Sequence, residues 1–394
     1  MVTYPIEWKE YTIGDITRTV ITGGTPSTAR QEYYGGNIPW LSSTEIHQKR
    51  IKKPTTYITD FGLQNSSAKI APERSVLIAL AGQGKTRGTA AYLTRPMALN
   101  QSLAALVNNE KSNPEYLYYL IDSMYLSLRE LSSGDGGRGG LNKKLIKDVT
   151  VTIPVDIAEQ KDIAETLQSF DTYISDLAEL IEKKRGIRDG AINDLLSATT
   201  RLAGFDKPWK KTTLGKEYVV IMGQSPNSVS YNSSGIGVPL VQGNADIEGR
   251  VTAPKRHTSM PIKICENGDT ILAVRAPVGT ASRANQRVCL GRGVCAISGM
   301  HKDFIYYLMR YYESAWEVIE QGSTFTSVSG KEVRNFEIKI PEEGEEQDAI
   351  SRILIAMDEE IEALEIERDK MIQIREGAMD DLLTGRVRLK GTVV

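Results

Sequence analysis

Two glycine-rich stretches hold the residue types that bind phosphates, and each lacks part of what that chemistry needs. Gly82-Gln-Gly84-Lys85-Thr86 matches the end of a phosphate-binding loop, in which backbone amides cradle phosphates and a lysine meets their charge. The full pattern requires a glycine five residues before Gly84, where the chain has Ala79. With Lys85 and Arg87 the loop reads instead as a flexible basic finger. Gly134-Asp-Gly136-Gly-Arg-Gly139 fits a dinucleotide fingerprint by letter, but it follows a predicted helix rather than a strand and opens no helix. It therefore reads as a loop ending in Arg138, with Lys143 and Lys144 close behind.

Asn113-Pro-Glu-Tyr116 approximates the Asn-Pro-Pro-Tyr/Phe motif of amino-group DNA methyltransferases. Its third position is Glu115, and Asn113 as a helix cap with Pro114 in the first turn is a sufficient structural explanation. No glycine-rich cofactor loop follows a first strand. Cys265, Cys289 and Cys295 lack ligand spacing, and an odd, sparse count argues against a disulfide scaffold. His47, His257 and His301 are scattered. The expectation is a chain that is not an enzyme, with no catalytic residue, no metal and no cofactor of its own. No charged-then-apolar leader opens it at Met1-Val-Thr-Tyr-Pro5, and no apolar run approaches about 18 residues, so a cytoplasmic protein with no membrane contact is expected.

The elements that must carry these residues announce themselves by repetition. Residues 156–202 recur as residues 343–389 at a constant offset of 187 without a gap. Pro154, Glu159, Gln160, Ile163, Leu167, Asp171, Leu177 and Lys183 return as Pro341, Glu346, Gln347, Ile350, Leu354, Asp358, Leu364 and Lys370. Each copy has apolar residues spaced 4-3-4-3, which a helix turns into one stripe along its side. The first stripe is Ile163, Leu167, Phe170, Ile174, Leu177, Ile181, Lys184, Arg188, Ala191, Leu195. The second is Ile350, Leu354, Met357, Ile361, Leu364, Arg368, Met371, Arg375, Ala378, Leu382. A helix of about 40 residues is about 60 Å long. A stripe so narrow on so long a helix needs a partner helix, and the other copy is the nearest candidate. The charged stripe positions Lys184, Arg188, Arg368 and Arg375 either fix register or mark a local change of phase.

Looser landmarks precede each helix at offsets drifting from 201 to 187: Trp8, Ile13 and Gly14 match Trp209, Leu214 and Gly215. Gly23, Pro26, Pro39, Gly88 and Tyr118-Tyr119-Leu120 match Gly223, Pro226, Pro239, Gly279 and Tyr306-Tyr307-Leu308. Between these landmarks the residues differ almost everywhere. The short apolar runs 75–80 and 269–274 predict buried strands, and residues 114–131 and 302–321 predict amphipathic helices. The fold class is therefore α+β. It comprises a first domain over 1–155, a first repeated helix over 156–203, a second domain over 204–341, and a second helix with a tail over 342–394. Residues 156–194 hold ten acids and five bases and residues 342–381 hold fifteen and four, so with the chain at −2 everything else carries +14. Basic domains on acidic struts point to a polyanion as the partner of the domains.

Two divergent domains, each followed by a near-identical helix opening Pro…Glu-Gln-x-x-Ile…Leu…Asp, resemble the specificity subunit of type I restriction-modification enzymes over essentially the whole chain. The resemblance implies two target recognition domains with mixed sheets and helices, separated by two long helices in an antiparallel coiled coil with a pseudo-twofold repeat. It implies that each domain reads one half of an asymmetric bipartite site on double-stranded DNA, and that the helices set the spacer. It also implies separate partner chains: two methylation subunits, which bind S-adenosylmethionine, and restriction subunits, which use ATP and Mg. Polar loop residues beside basic ones are the expected DNA contacts, because phosphates position and base edges specify. In the first domain these are Ser42, Ser43, Thr44, Lys49, Arg50, Gln83, Lys85, Arg87, Arg138, Lys143 and Lys144. In the second they are Gln224, Asn227, Gln242, Asn244, Lys255, Arg256, Arg275, Arg283, Ser327 and Lys331. A DNA methyltransferase with fused recognition domains and a coiled-coil scaffold that binds protein are the alternatives.

Overall fold

The structure, a computed structural model, describes residues 4–82, 84–132, 140–316 and 327–389. Its contacts divide the chain into two compact units, residues 1–177 with 367–394, and residues 178–366. Each unit repeats one plan. In unit 1 a central sheet runs in the order Thr17–Thr22, Leu103–Asn108, Val76–Ala79, Ala90–Leu93, Arg50–Ile51. In unit 2 the corresponding order is Val219–Met222, Val294–Ser298, Thr270–Ala273, Ala281–Arg283, Val251–Thr252, with Ile247–Glu248 added at the edge. A second sheet in each unit pairs Tyr34–Leu41 with Met97–Leu99, and Val238–Val241 with Val288–Leu290, in parallel. Both units are thus mixed sheets plus helices.

The central strands are apolar without alternation because both of their faces are covered. Val76 and Ile78 face one core with Tyr116, Leu117 and the long-helix residues Ile163, Leu167 and Leu382. Leu77 and Ala79 face the other, against Leu41, Met97 and Leu99 of the second sheet. Residues 114–131 form two helices rather than one, Pro114–Ser123 and Tyr125–Leu131. The break falls where the Ser123 hydroxyl donates to Leu120 O and Met124 closes a tight turn onto Ile121 O, a local bond that competes with the helix ladder.

The repeated segments are helices of 40 residues each, Ile157–Leu196 and Gly344–Leu383, and each contributes to both units. Within each unit their cross-helix bonds run in opposite numerical directions, which makes the pairing antiparallel. In unit 1 Arg388 reaches Glu159, Arg375 reaches Asp171 and Tyr173 reaches Glu367. In unit 2 Arg185 reaches Glu365, Arg188 reaches Asp358 and Arg201 reaches Glu346. The basic stripe residues Arg188 and Arg375 therefore meet carboxylates one helix away and pin the register. The outer parts of the stripe, Ile163 and Leu167 with Leu382 in unit 1 and Leu195 with Ile350 and Leu354 in unit 2, merge into the domain cores.

The repeated polar residues do the same job twice. The indole Nε1 of Trp8 donates to Glu159 Oε1 at 3.3 Å, and that of Trp209 to Glu346 Oε1 at 3.1 Å. Gln160 and Gln347 donate to Pro154 O and Pro341 O at 2.8 and 3.0 Å. Tyr119 and Tyr307 donate their hydroxyls to Asp171 Oδ2 and Asp358 Oδ2 at 2.7 and 2.6 Å, fastening the helices Pro114–Ser123 and Lys302–Tyr311 to the long helices. Burial, with those carboxylates, pushes both phenols up from their ordinary value. One repeated position breaks the symmetry. The left-handed residue after the first helix is Ala198 (φ 61°) and after the second is Gly385 (φ 71°). An alanine there carries a Cβ penalty that glycine does not. Ala198→Gly is expected to stabilise the chain by about 0.5–1 kcal/mol in denaturant unfolding, after glycine's larger unfolded-state entropy is offset. Gly385→Ala is expected to destabilise it, since the added Cβ would lie 2.5 Å from Pro5 Cδ.

Candidate nucleic-acid interface

At one end of each pair of sheets the loops converge, and most of the polar and basic candidates lie there. In unit 1 the short 3-10 helix Ser43–Gln48 approaches the loop after Val76–Ala79, where His47 Nε2 lies 3.2 Å from Thr86 Oγ1. Arg129 donates to Gly84 O at 2.6 Å and the Tyr125 hydroxyl to Lys85 O at 3.0 Å, so the helix Tyr125–Leu131 braces that loop. Arg87 Nη1 donates to Ser132 Oγ at 3.2 Å, and Leu141 N to Leu80 O at 3.2 Å. Those contacts bring the start of the short helix Lys143–Lys147, capped by Asn142, to the same end, while its last residue Lys147 accepts from Gly14 N. Lys85, Lys143 and Lys144 are all exposed. Gln83 and Arg138 lie outside the described residues.

Several candidates are committed to other partners. Ser42 and Thr44 donate to the buried Glu45 carboxylate at 2.7 and 3.0 Å, and Thr55 adds a third hydroxyl at 2.6 Å. Burial pushes the Glu45 carboxyl up, but these hydrogen bonds outweigh it and hold the group below the ordinary carboxylate range. Ser43 sits half-buried in the same turn. Lys49 pairs with Asp122, and Arg50 makes a bidentate pair with Glu115 at 3.0 and 2.7 Å while lying over Tyr92 and Tyr118. Burial opposes the charge on Arg50, yet Glu115 raises its affinity for the proton above the ordinary value. In unit 2 Arg283 is placed in the same manner, paired with Asp303 and 4.2 Å over the Tyr306 ring. These arginines tie sheet to helix.

The rest of the unit 2 set gathers at the loop end. Gln242 donates to the Tyr231 hydroxyl at 3.3 Å, Asn244 to Pro277 O at 3.0 Å, and Arg275 bridges to Ser327. Asn227 caps the turn Ser228–Ser230, and exposed Gln224 is anchored through its backbone to Leu290 O at 2.9 Å. Exposed Lys331 opens the helix Gly330–Asn335, with Gly330 packed on Met222. Lys255 and Arg256 are exposed on the second-sheet side, where Leu240 N donates to Arg256 O.

Four residues at these loop ends escaped the sequence reading: Thr25 with Gln101, and Ser225 with Arg292. Thr25 and Ser225 follow the landmark glycines Gly23 and Gly223, whose role is now plain. A Cβ on Gly23 would lie 1.7 Å from Leu99 O and one on Gly223 would lie 2.0 Å from Gly291 O, so only glycine lets the two loops approach. Among the described residues no group of three or more His, Cys, Asp or Glu side chains could hold a metal. Burial pushes the Cys265 and Cys295 thiols up to about 12, far from a reactive thiolate. No helix among the described residues is long and apolar enough to cross a membrane. The site can offer hydrogen-bond donors, acceptors and positive charge to a ligand, which is the chemistry of recognition.

The model of the type I restriction modification DNA specificity domain matches residues 5–184 and 260–372. The putative type I restriction enzyme MjaX specificity subunit of Methanocaldococcus jannaschii is 30% identical over 305 residues, covering 72% of this chain and 70% of the relative. Among solved structures, a chain from a type I R-M system, studied for its complex assembly and conformational transition, is similar with a TM-score of 0.66. It has 21% identity and covers 98% of this chain and 100% of that one. The type I restriction-modification S subunit of M. genitalium is similar with a TM-score of 0.63 at 17% identity, covering 97% of both chains. At these identities the solved structures speak for the fold alone: two α+β domains and two long helices.

Proposed function

This chain belongs to the type I restriction-modification DNA specificity family, and from that premise we propose that it gives a methylation complex its target sequence. It is a non-catalytic DNA-recognition subunit. Residues 1–155 and 204–341 each read one half of an asymmetric bipartite site, and residues 156–203 and 342–394 set the spacer and dock the partner chains. Two methylation subunits bring S-adenosylmethionine, and restriction subunits bring ATP and Mg. The observation that carries the reading is the duplication itself: both units repeat the same sheet order and helix clasps, while the side chains at their loop ends differ. A shared frame with divergent tips supports two related readers of two different sequences.

Labelled S-adenosylmethionine mixed with the purified chain and genomic DNA is expected to yield no methyl transfer. Adding the cognate methylation subunit is expected to switch transfer on, confined to one split motif. Turnover by the chain alone, or methylation without sequence preference in the complex, would overturn the reading.

A further inference from the structure

The two units hold one loop by the same set of backbone hydrogen bonds. In unit 1 Gly24 N donates to Leu99 O at 3.0 Å, Asn100 N to Leu41 O at 2.9 Å and Leu80 N to Ser102 O at 2.8 Å. In unit 2 Gln224 N donates to Leu290 O at 2.9 Å, Gly291 N to Val241 O at 2.7 Å and Val274 N to Gly293 O at 2.9 Å. These bonds bracket one residue on each side, Gln101 in unit 1 and Arg292 in unit 2, which makes the two residues structural equivalents. Both are exposed. Each is steadied by a hydroxyl from the loop after its landmark glycine: Thr25 Oγ1 donates to Gln101 Oε1 at 2.7 Å, and Arg292 Nε donates to Ser225 Oγ at 3.3 Å.

We infer that Gln101 and Arg292 are paired specificity determinants, reading an adenine in one half-site and a guanine in the other. The inference rests on the DNA-recognition reading given above. A glutamine amide offers a donor and an acceptor side by side, which fits adenine N7 and N6 in the major groove. An arginine fork offers two parallel donors, which fits guanine O6 and N7. Arg292 N and Nε both donate to Ser225 Oγ, at 3.2 and 3.3 Å, which limits the side chain near its base and leaves the two terminal nitrogens for a ligand. A side chain whose rotamer is already limited loses less entropy when it meets a base edge. The same rigid platform thus presents a different hydrogen-bonding pattern in each domain, which is what one fold needs to read two unlike sequences.

Methylation mapping of the complete complex on a random-sequence library tests this. Arg292→Gln and Arg292→Lys are each expected to lower discrimination at one G·C pair of the second half-site by about tenfold to a hundredfold. Every other position and the first half-site stay as in the parent. Gln101→Ala is expected to relax one A·T pair of the first half-site and leave the second unchanged. Arg292→Lys keeps the charge and loses the fork. A motif unchanged in Arg292→Gln, or a uniform fall in methylation by that variant across all sequences with a shallower salt dependence, would identify a phosphate contact and overturn the assignment. If Arg292→Gln fails to assemble, Gln101→Ala decides the same question, since an unchanged first half-site would overturn it. A parent complex with no sequence motif would instead refute the recognition reading beneath it.

Discussion

Replacing Lys85, Lys143 and Lys144 together with alanine is expected to lower the affinity of the assembled complex for its DNA by roughly two to three orders of magnitude at about 0.1 M salt. The three ammonium groups are exposed at one loop end of unit 1, where the Leu141 to Leu80 hydrogen bond draws the Lys143–Lys147 helix up to the basic loop. Each lysine that neutralises a phosphate releases counterion and contributes about 0.9 to the slope of log affinity against log salt. Three lost contacts reduce that slope by about 2.7 units and leave the methylated motif unchanged, because phosphates position and do not specify. Titrations at several salt concentrations measure the slope directly. An unaltered slope would show that these lysines do not meet the DNA backbone. Arg50→Ala makes an instructive contrast: its guanidinium is committed to Glu115, so its loss shows first as instability and an unpaired carboxylate rather than as a salt effect.

The second large effect concerns helix length. Inserting seven residues after Ile181 and seven after Arg368 keeps both stripes in phase and adds about 10 Å to each helix. At about 3.4 Å per base pair, the bipartite motif is expected to keep both half-sites and gain about three base pairs of spacer. The insertions keep Arg375 with Asp171 and Arg188 with Asp358, and separate Tyr173 from Glu367. Genome methylation mapping reads the spacer. An active variant with the parental spacer would show that DNA bending or domain docking sets the distance. An insertion of only three or four residues should instead impair assembly, because it rotates the apolar stripe away from its partner helix.

The parts of this protein that were legible from sequence are those written in local periodicity or in repetition. Ile163, Leu167 and Leu177 declared a helix stripe because helical spacing is a property of neighbouring residues, and the structure buries all three. The equivalence of Gln101 and Arg292 was not legible. Gln101 lies between landmarks that are 191 residues apart at Gly88 and Gly279 and 188 apart at Tyr118 and Tyr306, and nothing between them marks where the register changes. Only the backbone hydrogen bonds restore the alignment. The same limit explains Arg50 and Arg283, which look like free basic loop residues in sequence and turn out to face Glu115 and Asp303.

The amino-acid sequence by itself determined the duplication, the two long helices, the acidic character of the helices against the basic remainder, and the family resemblance. Each of these is carried by residue type and spacing along the chain. The tertiary structure alone decided which charges are committed. Charge type is set by the side chain, but pairing depends on distances of a few ångströms between residues as far apart as Arg388 and Glu159. It also decided why Tyr119, Tyr307, Asp171 and Asp358 recur. A phenol and a carboxylate tens of residues apart become a clasp only once a domain helix lies against a long one, and that contact is made by packing of the whole core.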